Sequence, residues 1–101
     1  MAKVRAYLYE VDGFVFVYPP VSVLKKGDTF ELVNTADEAG VWSVPEGPFE
    51  GGAFKDEPIP KKHPSSAKTV RDHPFLVVKY NAHVGGKRAI GRSDPIIIID
   101  P

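Results

Sequence analysis

The amino-acid sequence predicts an all-β domain, and three observations indicate it. Short apolar runs alternate with polar residues in the period of two that is typical of half-buried strands. Glycines, prolines, asparagines and aspartates separate these runs at short intervals. No segment keeps the 3.6-residue apolar period over a helical length, and the spacing of the ten prolines forbids long helices. These observations favour a single Greek-key β-sandwich of about seven strands spanning residues 1–101.

A hairpin is predicted at the start of the chain. Lys3 to Glu10 is its first strand, with apolar residues at every second position. Asp12-Gly13 predicts a tight turn, because both residues tolerate the positive φ angles that a type I′ turn needs. Phe14 to Tyr18 is the second strand, and Pro19-Pro20 ends it because proline has no amide hydrogen for the ladder.

The segment from Pro19 to Thr35 predicts a second hairpin, central to the sandwich. Apolar residues occupy every second position on both sides of a charged turn at Lys25 to Asp28. A short strand, Val41 to Val44, follows a polar loop and contains the only tryptophan, Trp42. In a small sandwich such a residue belongs in the core, and an exposed aromatic binding platform is the alternative.

The segment from Pro45 to Pro64 is rich in proline and glycine and predicts a long irregular loop. Phe49, Phe54 and Ile59 give it apolar anchors, which favour an ordered crossover packed on the sheet. A binding loop and a disordered segment remain the other interpretations of this segment.

The last part of the chain contains three more predicted strands. Ser65 to Arg71 is an edge strand, and Phe75 to Tyr80 is a central strand with two apolar faces. A glycine-containing loop, Asn81 to Asp94, precedes the final strand. Ile96 to Ile99 is uniformly β-branched, so we expect both of its faces to be covered.

Charge and composition exclude several classes of function. The chain has 13 basic and 13 acidic side chains, so nucleic acid and anionic membranes are not favoured partners. Residues 1–50 carry an excess of acids and residues 51–101 an excess of bases, which predicts attraction within the molecule, with a basic patch for an anionic partner as the alternative.

The absence of cysteine excludes disulfides and thiolate chemistry. No signal peptide or membrane-length apolar run is visible, so we expect a cytoplasmic protein, with a processed exported form as the alternative.

The run from Val23 to Asn34 resembles the cupredoxin family, in which a lysine, glycine and aspartate turn leads into a strand that ends in asparagine. The later strands and the β-branched final strand are also similar to that family. The resemblance implies a cupredoxin-like sandwich, and an immunoglobulin-like one is the alternative. The family's type 1 copper centre uses histidine, cysteine and usually methionine. This chain has no cysteine, and only His83 falls near a matching place, so the resemblance implies a relative without that centre.

No catalytic constellation is visible in the sequence. The serines lack a nucleophile elbow, and Asp37-Glu38 and Asp56-Glu57 would point apart in extended chain. The histidine spacing fits no standard zinc motif and indicates turn or surface residues. The alternative is a divalent-metal site formed by His73, His83 and Asp72. We therefore expect no enzyme activity and no cofactor.

The leading hypothesis is a non-catalytic binding or protein-interaction module that uses the loops 45–64 and 81–94 to contact an unidentified protein or small ligand. The alternatives are a metal-binding protein with a non-blue histidine site, and a structural subunit that docks through a strand edge. The sequence does not specify the oligomeric state. The candidate binding residues are the aromatic, histidine and basic side chains Trp42, Phe49, Phe54, His83, Lys87, Arg88 and Arg92.

Overall fold

The computed structural model describes residues 1–89 and 94–101. These residues form eleven strands, more than the sequence predicted because several are short or lie in predicted loops. No helix among them is long and apolar enough to cross a membrane. The strands are β1 (Lys3–Val11), β2 (Phe14–Tyr18), β3 (Val21–Leu24), β4 (Thr29–Asn34), β5 (Gly40–Val44), β6 (Phe54–Ile59), β7 (Lys68–Thr69), β8 (Leu76–Lys79), β9 (Asn81–Val84), β10 (Lys87–Arg88) and β11 (Ile96–Ile99).

The strands build an all-β sandwich, which confirms the predicted fold class. One layer is a four-stranded sheet in the order β2-β1-β4-β7. The other layer contains a three-stranded sheet, β3-β11-β8, and a four-stranded sheet, β10-β9-β5-β6. Only Tyr80 separates β8 from β9, so this stretch of chain links the two sheets of the second layer.

The first hairpin has the predicted form. β1 and β2 pair antiparallel, and the register places Val11 opposite Phe14. Asp12 and Gly13 form the turn with φ angles of 52° and 80°, which is the left-handed conformation that the Asp-Gly pair predicted. β1 also pairs in parallel with β4, so it occupies the centre of its sheet.

The predicted central hairpin between Pro19 and Thr35 is wrong. Both of its strands exist, but β3 pairs in parallel with β11 and β4 pairs in parallel with β1. The turn at Lys25 to Asp28 therefore carries the chain from one layer to the other. An alternating pattern identifies a strand and its buried face, but it does not identify the neighbouring strand.

Asp28 organises this crossing turn. Its backbone N–H donates to the Lys25 carbonyl at 3.0 Å, and Gly27 takes a φ of 85°. The Asp28 carboxylate accepts hydrogen bonds from the N–H groups of Ala2 at 2.8 Å and Lys25 at 2.9 Å. The lysine, glycine and aspartate motif is therefore a self-bonded turn that also fastens the start of β1.

The predicted loop at 45–64 contains a strand, which corrects the expectation that it has no regular element. β6 pairs antiparallel with β5 and lies at the edge of its sheet. Pro58 is tolerated there because an edge strand has one side without ladder partners. Phe49 is buried against Phe30 with ring centroids 6.3 Å apart, so the segment before β6 is an ordered crossover.

The predicted loop at 81–94 also contains strands. β9 and β10 form a hairpin around Gly85 and Gly86, whose φ angles are 55° and 79°. β8 is not the predicted central strand, because it pairs only with β11 and lies at a sheet edge. Val77 remains 51% exposed. The final strand, β11, is central, with Ile97 and Ile99 buried and its other two isoleucines half-buried.

An aromatic cluster joins the layers. Phe30 of β4 is fully buried, and its ring centroid lies 5.8 Å from that of Trp42 on β5 and 6.2 Å from that of Tyr80. The Tyr80 hydroxyl and Trp42 Nε1 have no hydrogen-bond partner within the described part of the chain. Burial raises the pKa of Tyr80 far above its ordinary value because the ionised phenolate cannot be solvated there.

Replacement of Asp28 by Asn tests the turn. The backbone hydrogen bonds from Ala2, the larger effect, and from Lys25 hold the pKa of Asp28 below its ordinary value. The ionised carboxylate therefore stabilises the fold at any pH above the ordinary pKa of aspartate, and this stabilisation is lost as the pH falls through the folded-state pKa. We expect Asp28→Asn to lower the free energy of unfolding at neutral pH by about 1–3 kcal/mol. The free energy of unfolding of the variant should also fall less steeply than that of the wild type as the pH is lowered. Urea titrations between pH 2 and 7 measure both effects. Asp72→Asn, at an exposed position, is the control, and an equal response of the two variants contradicts the turn's role.

Replacement of Tyr80 by Phe removes a buried hydroxyl without a partner. We expect the free energy of unfolding at neutral pH to stay constant or to rise by up to about 1 kcal/mol. Because the pKa of Tyr80 is raised in the folded state, this tyrosine ionises at a lower pH in the unfolded chain. The free energy of unfolding of the wild type therefore falls as the pH rises above the pKa of an ordinary tyrosine. Tyr80→Phe should weaken this alkaline loss, measured by denaturant titration, whereas the exposed Tyr18→Phe should not. A clear loss of stability at neutral pH would show that the hydroxyl has a structural partner.

Candidate binding site

Two adjoining depressions lie on the outer face of β5, β6 and β9, and we call them together the groove. Their volumes are about 460 and 410 Å³, and they share Asp56 and His83. The larger depression is also lined by Ala39, Gly40, Val41, Gly85 and Gly86. The smaller is also lined by Ser43, Pro45, Phe54, Lys55 and Asn81.

Strand alternation directs the side chains of β9 into the groove. Ala82 and Val84 are buried in the core, so Asn81 and His83 project from the outer face. The ladder with β5 sets His83 opposite Val41 and Asn81 opposite Ser43. Residues of both predicted contact loops, 45–64 and 81–94, therefore meet at one surface.

Asp56 occupies an unusual backbone conformation at the centre of the groove. Its φ angle is 53°, which is the left-handed region that aspartate tolerates better than most residues. Its N–H donates to Ser43 Oγ at 2.8 Å, and the β5–β6 register shifts between Trp42 and Val44. Such a bulge turns a side chain out of the ordinary alternation, and bulges are frequent beside binding sites.

Phe54 forms an apolar wall of the smaller depression and is half-buried. Its ring packs edge-on against Trp42 with centroids 4.8 Å apart. Lys68 Nζ lies 4.4 Å from the Phe54 ring centroid and also pairs with Glu57. The Phe54 ring is therefore held by contacts on two sides.

The basic candidates Lys87 and Arg88 are engaged in ion pairs and do not line the groove. Lys87 Nζ donates to Glu10 Oε2 at 2.6 Å, and this hydrogen bond raises the pKa of Lys87. Arg88 Nη2 binds both carboxylate oxygens of Asp94 at 2.9 Å. The pairing of Lys87 with Glu10 joins the basic second half to the acidic first half, as the charge distribution predicted. Arg92 lies outside the described residues.

Two of the predicted binding residues are not at the surface. Trp42 and Phe49 each have 0% exposure, so they support the groove from beneath and cannot contact a ligand. Their burial matches the core position favoured for Trp42 and the anchoring role favoured for Phe49, and it contradicts their place among the candidate binding residues. The structure adds Val41, Ser43, Asp56 and Asn81, which the sequence analysis did not select. The alternating pattern Asn81-Ala82-His83-Val84 was the signal for a strand that presents polar groups outward.

The metal site that was the alternative interpretation of the sequence is not formed. Residues 1–89 and 94–101 contain no group of three or more histidine, cysteine, aspartate or glutamate side chains that could hold a metal ion, so His73, His83 and Asp72 do not converge. His73 Nδ1 lies 2.9 Å from the Pro74 carbonyl in a local turn, whereas His83 faces the groove. A type 1 copper ion does not fit these residues, because its thiolate ligand is missing from the sequence.

Solved structures similar to this chain include variants of amicyanin and of a multicopper oxidase. A reduced amicyanin variant aligns over 97% of this chain and 82% of its own, with 13% identity and a TM-score of 0.65. An oxidised amicyanin variant gives the same coverage, 15% identity and a TM-score of 0.65. A multicopper oxidase variant from Aquifex aeolicus aligns over 100% of this chain and 27% of its own, with 19% identity and a TM-score of 0.46.

At these identities the likeness to amicyanin establishes the fold alone. The chain has a cupredoxin-like fold and lacks the sulfur ligand of a type 1 centre, as the resemblance in its sequence implied. No family model matches the sequence, and no curated protein matches it in sequence.

Substitutions at Asp56 test the strained position in the groove. A β-branched side chain is strongly disfavoured at positive φ, so we expect Asp56→Val to lower the free energy of unfolding by about 1–2 kcal/mol, and Asp56→Asn to change it little. Chemical denaturation monitored by Trp42 fluorescence measures both. Lys55→Val, at an exposed neighbouring position without a positive φ, is the control. Equal effects of the two valine variants would show that the backbone at Asp56 is not strained.

Proposed function

We propose that the chain is a non-catalytic binding module that holds a small organic ligand in the groove. The observation that carries this proposal is the convergence of two chain segments on adjoining depressions of about 460 and 410 Å³. Both volumes lie within the usual range for small-molecule sites, and both linings combine apolar walls with a few polar groups. The metal-binding alternative has no support in the geometry described above.

The charges around the larger depression favour a cationic ligand. Among residues 1–89 and 94–101, Asp56 is the only carboxylate in its lining, and the Glu38 carboxylate, which also attracts Lys87, lies close to Gly85 at its rim. Val41 and Ala39 supply an apolar wall, and His83 and the exposed glycine backbone supply hydrogen-bonding groups. A small amine with an apolar body matches this lining, because its charge would face Asp56 while its body covers the apolar wall.

Three fragments of similar shape but different charge test this proposal. We expect benzylamine to shift the amide signals of Val41, Asp56 and His83 in proton–nitrogen correlation spectra, with a dissociation constant in about the millimolar range for a ligand of this size. The neutral benzyl alcohol should bind more weakly and the anionic benzoate weakest of all, because Asp56 attracts only the cation.

Matched variants localise the effect. Asp56→Asn keeps the backbone conformation but removes the charge, so it should weaken benzylamine binding about tenfold and leave benzyl alcohol unchanged. Asp72→Asn removes an exposed carboxylate elsewhere and should leave both unchanged. Equal binding of benzylamine and benzoate, or no shifts at the groove amides, would contradict the proposed ligand class.

A further inference from the structure

The outer surface of the β1–β2 hairpin carries five aromatic rings, which we call the aromatic face: Tyr7, Tyr9, Phe14, Phe16 and Tyr18. The ladder sets Tyr9 opposite Phe16 and Tyr7 opposite Tyr18, so the rings form cross-strand pairs on one side of the sheet. Ala6, Leu8 and Val15 point the other way and fill the core. The outward side of such a sheet is ordinarily polar, and a contiguous apolar surface there indicates an interaction site.

The exposed area is sufficient for a weak specific interface. Tyr9, Phe14, Phe16 and Tyr18 are 41%, 55%, 37% and 66% exposed, which is together about two fully exposed rings. At roughly 150–250 Å² per aromatic side chain, the face offers about 300–500 Å² per copy and about 600–1,000 Å² to a symmetric pair. Val11, which is 53% exposed, extends the face. The total approaches the lower end of the range of specific interfaces.

The charges at the two ends of the aromatic face make it complementary to itself. Lys3 and Arg5 lie at one end, where Glu31 pairs with both and leaves one net positive charge. The exposed Asp12 lies in the turn at the other end, about 30 Å away along the strand. When two copies stack face to face, a two-fold axis that lies between the faces and perpendicular to the strands brings the basic end of each copy against the acidic turn of the other.

We propose that the aromatic face is the interface of a weak symmetric dimer formed by two copies of this chain. The rings of the two copies stack across the two-fold axis, and the charged ends fix the antiparallel orientation. The groove lies on the opposite layer of the sandwich, so the dimer and a bound ligand do not compete. This inference does not depend on the ligand proposed for the groove.

A second apolar surface on the other layer supplies a matched control. Val21, Val23 and Val77 are exposed on the β3-β11-β8 sheet, and we call this surface the aliphatic face. Its strands contain no ring, and one exposed ring, that of Phe75 at 65% exposure, lies directly before β8. Aromatic side chains are enriched in interfaces and supply most of their energetic hot spots, whereas valine is under-represented among them. The aromatic face is therefore the stronger candidate of the two.

Sedimentation velocity over a concentration series tests the dimer. We expect the wild-type chain to convert from monomer to dimer between about 1 μM and 1 mM, as an interface of this size suggests. Phe16→Glu places like charges across the two-fold axis and should raise the dissociation constant at least tenfold. Val77→Glu on the aliphatic face should not change it. Phe16→Ser replaces the first variant if the glutamate prevents folding, as judged by amide spectra.

A charge exchange tests the antiparallel orientation. Asp12→Lys should weaken the dimer, because both ends then carry positive charge. Combining it with Lys3→Glu should restore the dimer, because the ends are again opposite in sign. A monomer at all concentrations, or a dimer disrupted by Val77→Glu and not by Phe16→Glu, would overturn the proposal and leave the face to a different partner or to none.

Discussion

The packing of Phe30 against the opposite layer is the contact on which the sandwich depends. Its ring is fully buried and lies near Trp42, Tyr80 and Phe49, which come from three separate parts of the chain. Trp42 belongs to β5 and Tyr80 links the two sheets of the second layer, so one side chain from the first layer contacts both. Aromatic rings bury a large apolar area each. The chain has no cysteine and therefore no disulfide, so its stability comes from packing of this kind.

The same cluster lies directly beneath the groove. Trp42 faces inward to Phe30 while its neighbour Ser43 bonds the backbone of Asp56, so the core and the site share one strand. Asn34 holds the other end of this region. Its fully buried amide donates to the carbonyls of Glu38 and Ile59 and accepts from Ala36. The loop before β5 and the end of β6 are thereby fastened to β4.

Local chemistry was readable in the sequence, and strand partnership was not. The Asp12-Gly13 turn follows from backbone sterics, and the Lys25 to Asp28 turn was correctly placed by its residue types. The partners of β3 and β4 were wrong, because parallel pairing with β11 and β1 depends on contacts many residues away. The segments that form β6 and β9 were predicted to be loops because of their proline and glycine content. Proline and glycine suggest loops, but an edge strand tolerates Pro58 and a hairpin requires glycine at Gly85-Gly86.

The residues of the candidate site were also only partly predictable from the sequence, because burial and backbone conformation depend on the fold. Residue type did not distinguish the buried Trp42 and Phe49 from exposed candidates, and it did not indicate Asp56, which lines the groove with a positive φ beside a bulge. The cupredoxin resemblance predicted the fold but not the site, because the chemistry of a type 1 centre requires a sulfur ligand that this sequence lacks.

The sandwich has a polar groove on one layer and an aromatic face on the other. Most residues of the core point away from both surfaces, and Phe54 is the side chain that packs on the core and also lines the groove. The exposed rings on an outward strand face and the positive φ of Asp56 are features that the packing of the core does not require, and both are of kinds that are frequent at binding surfaces.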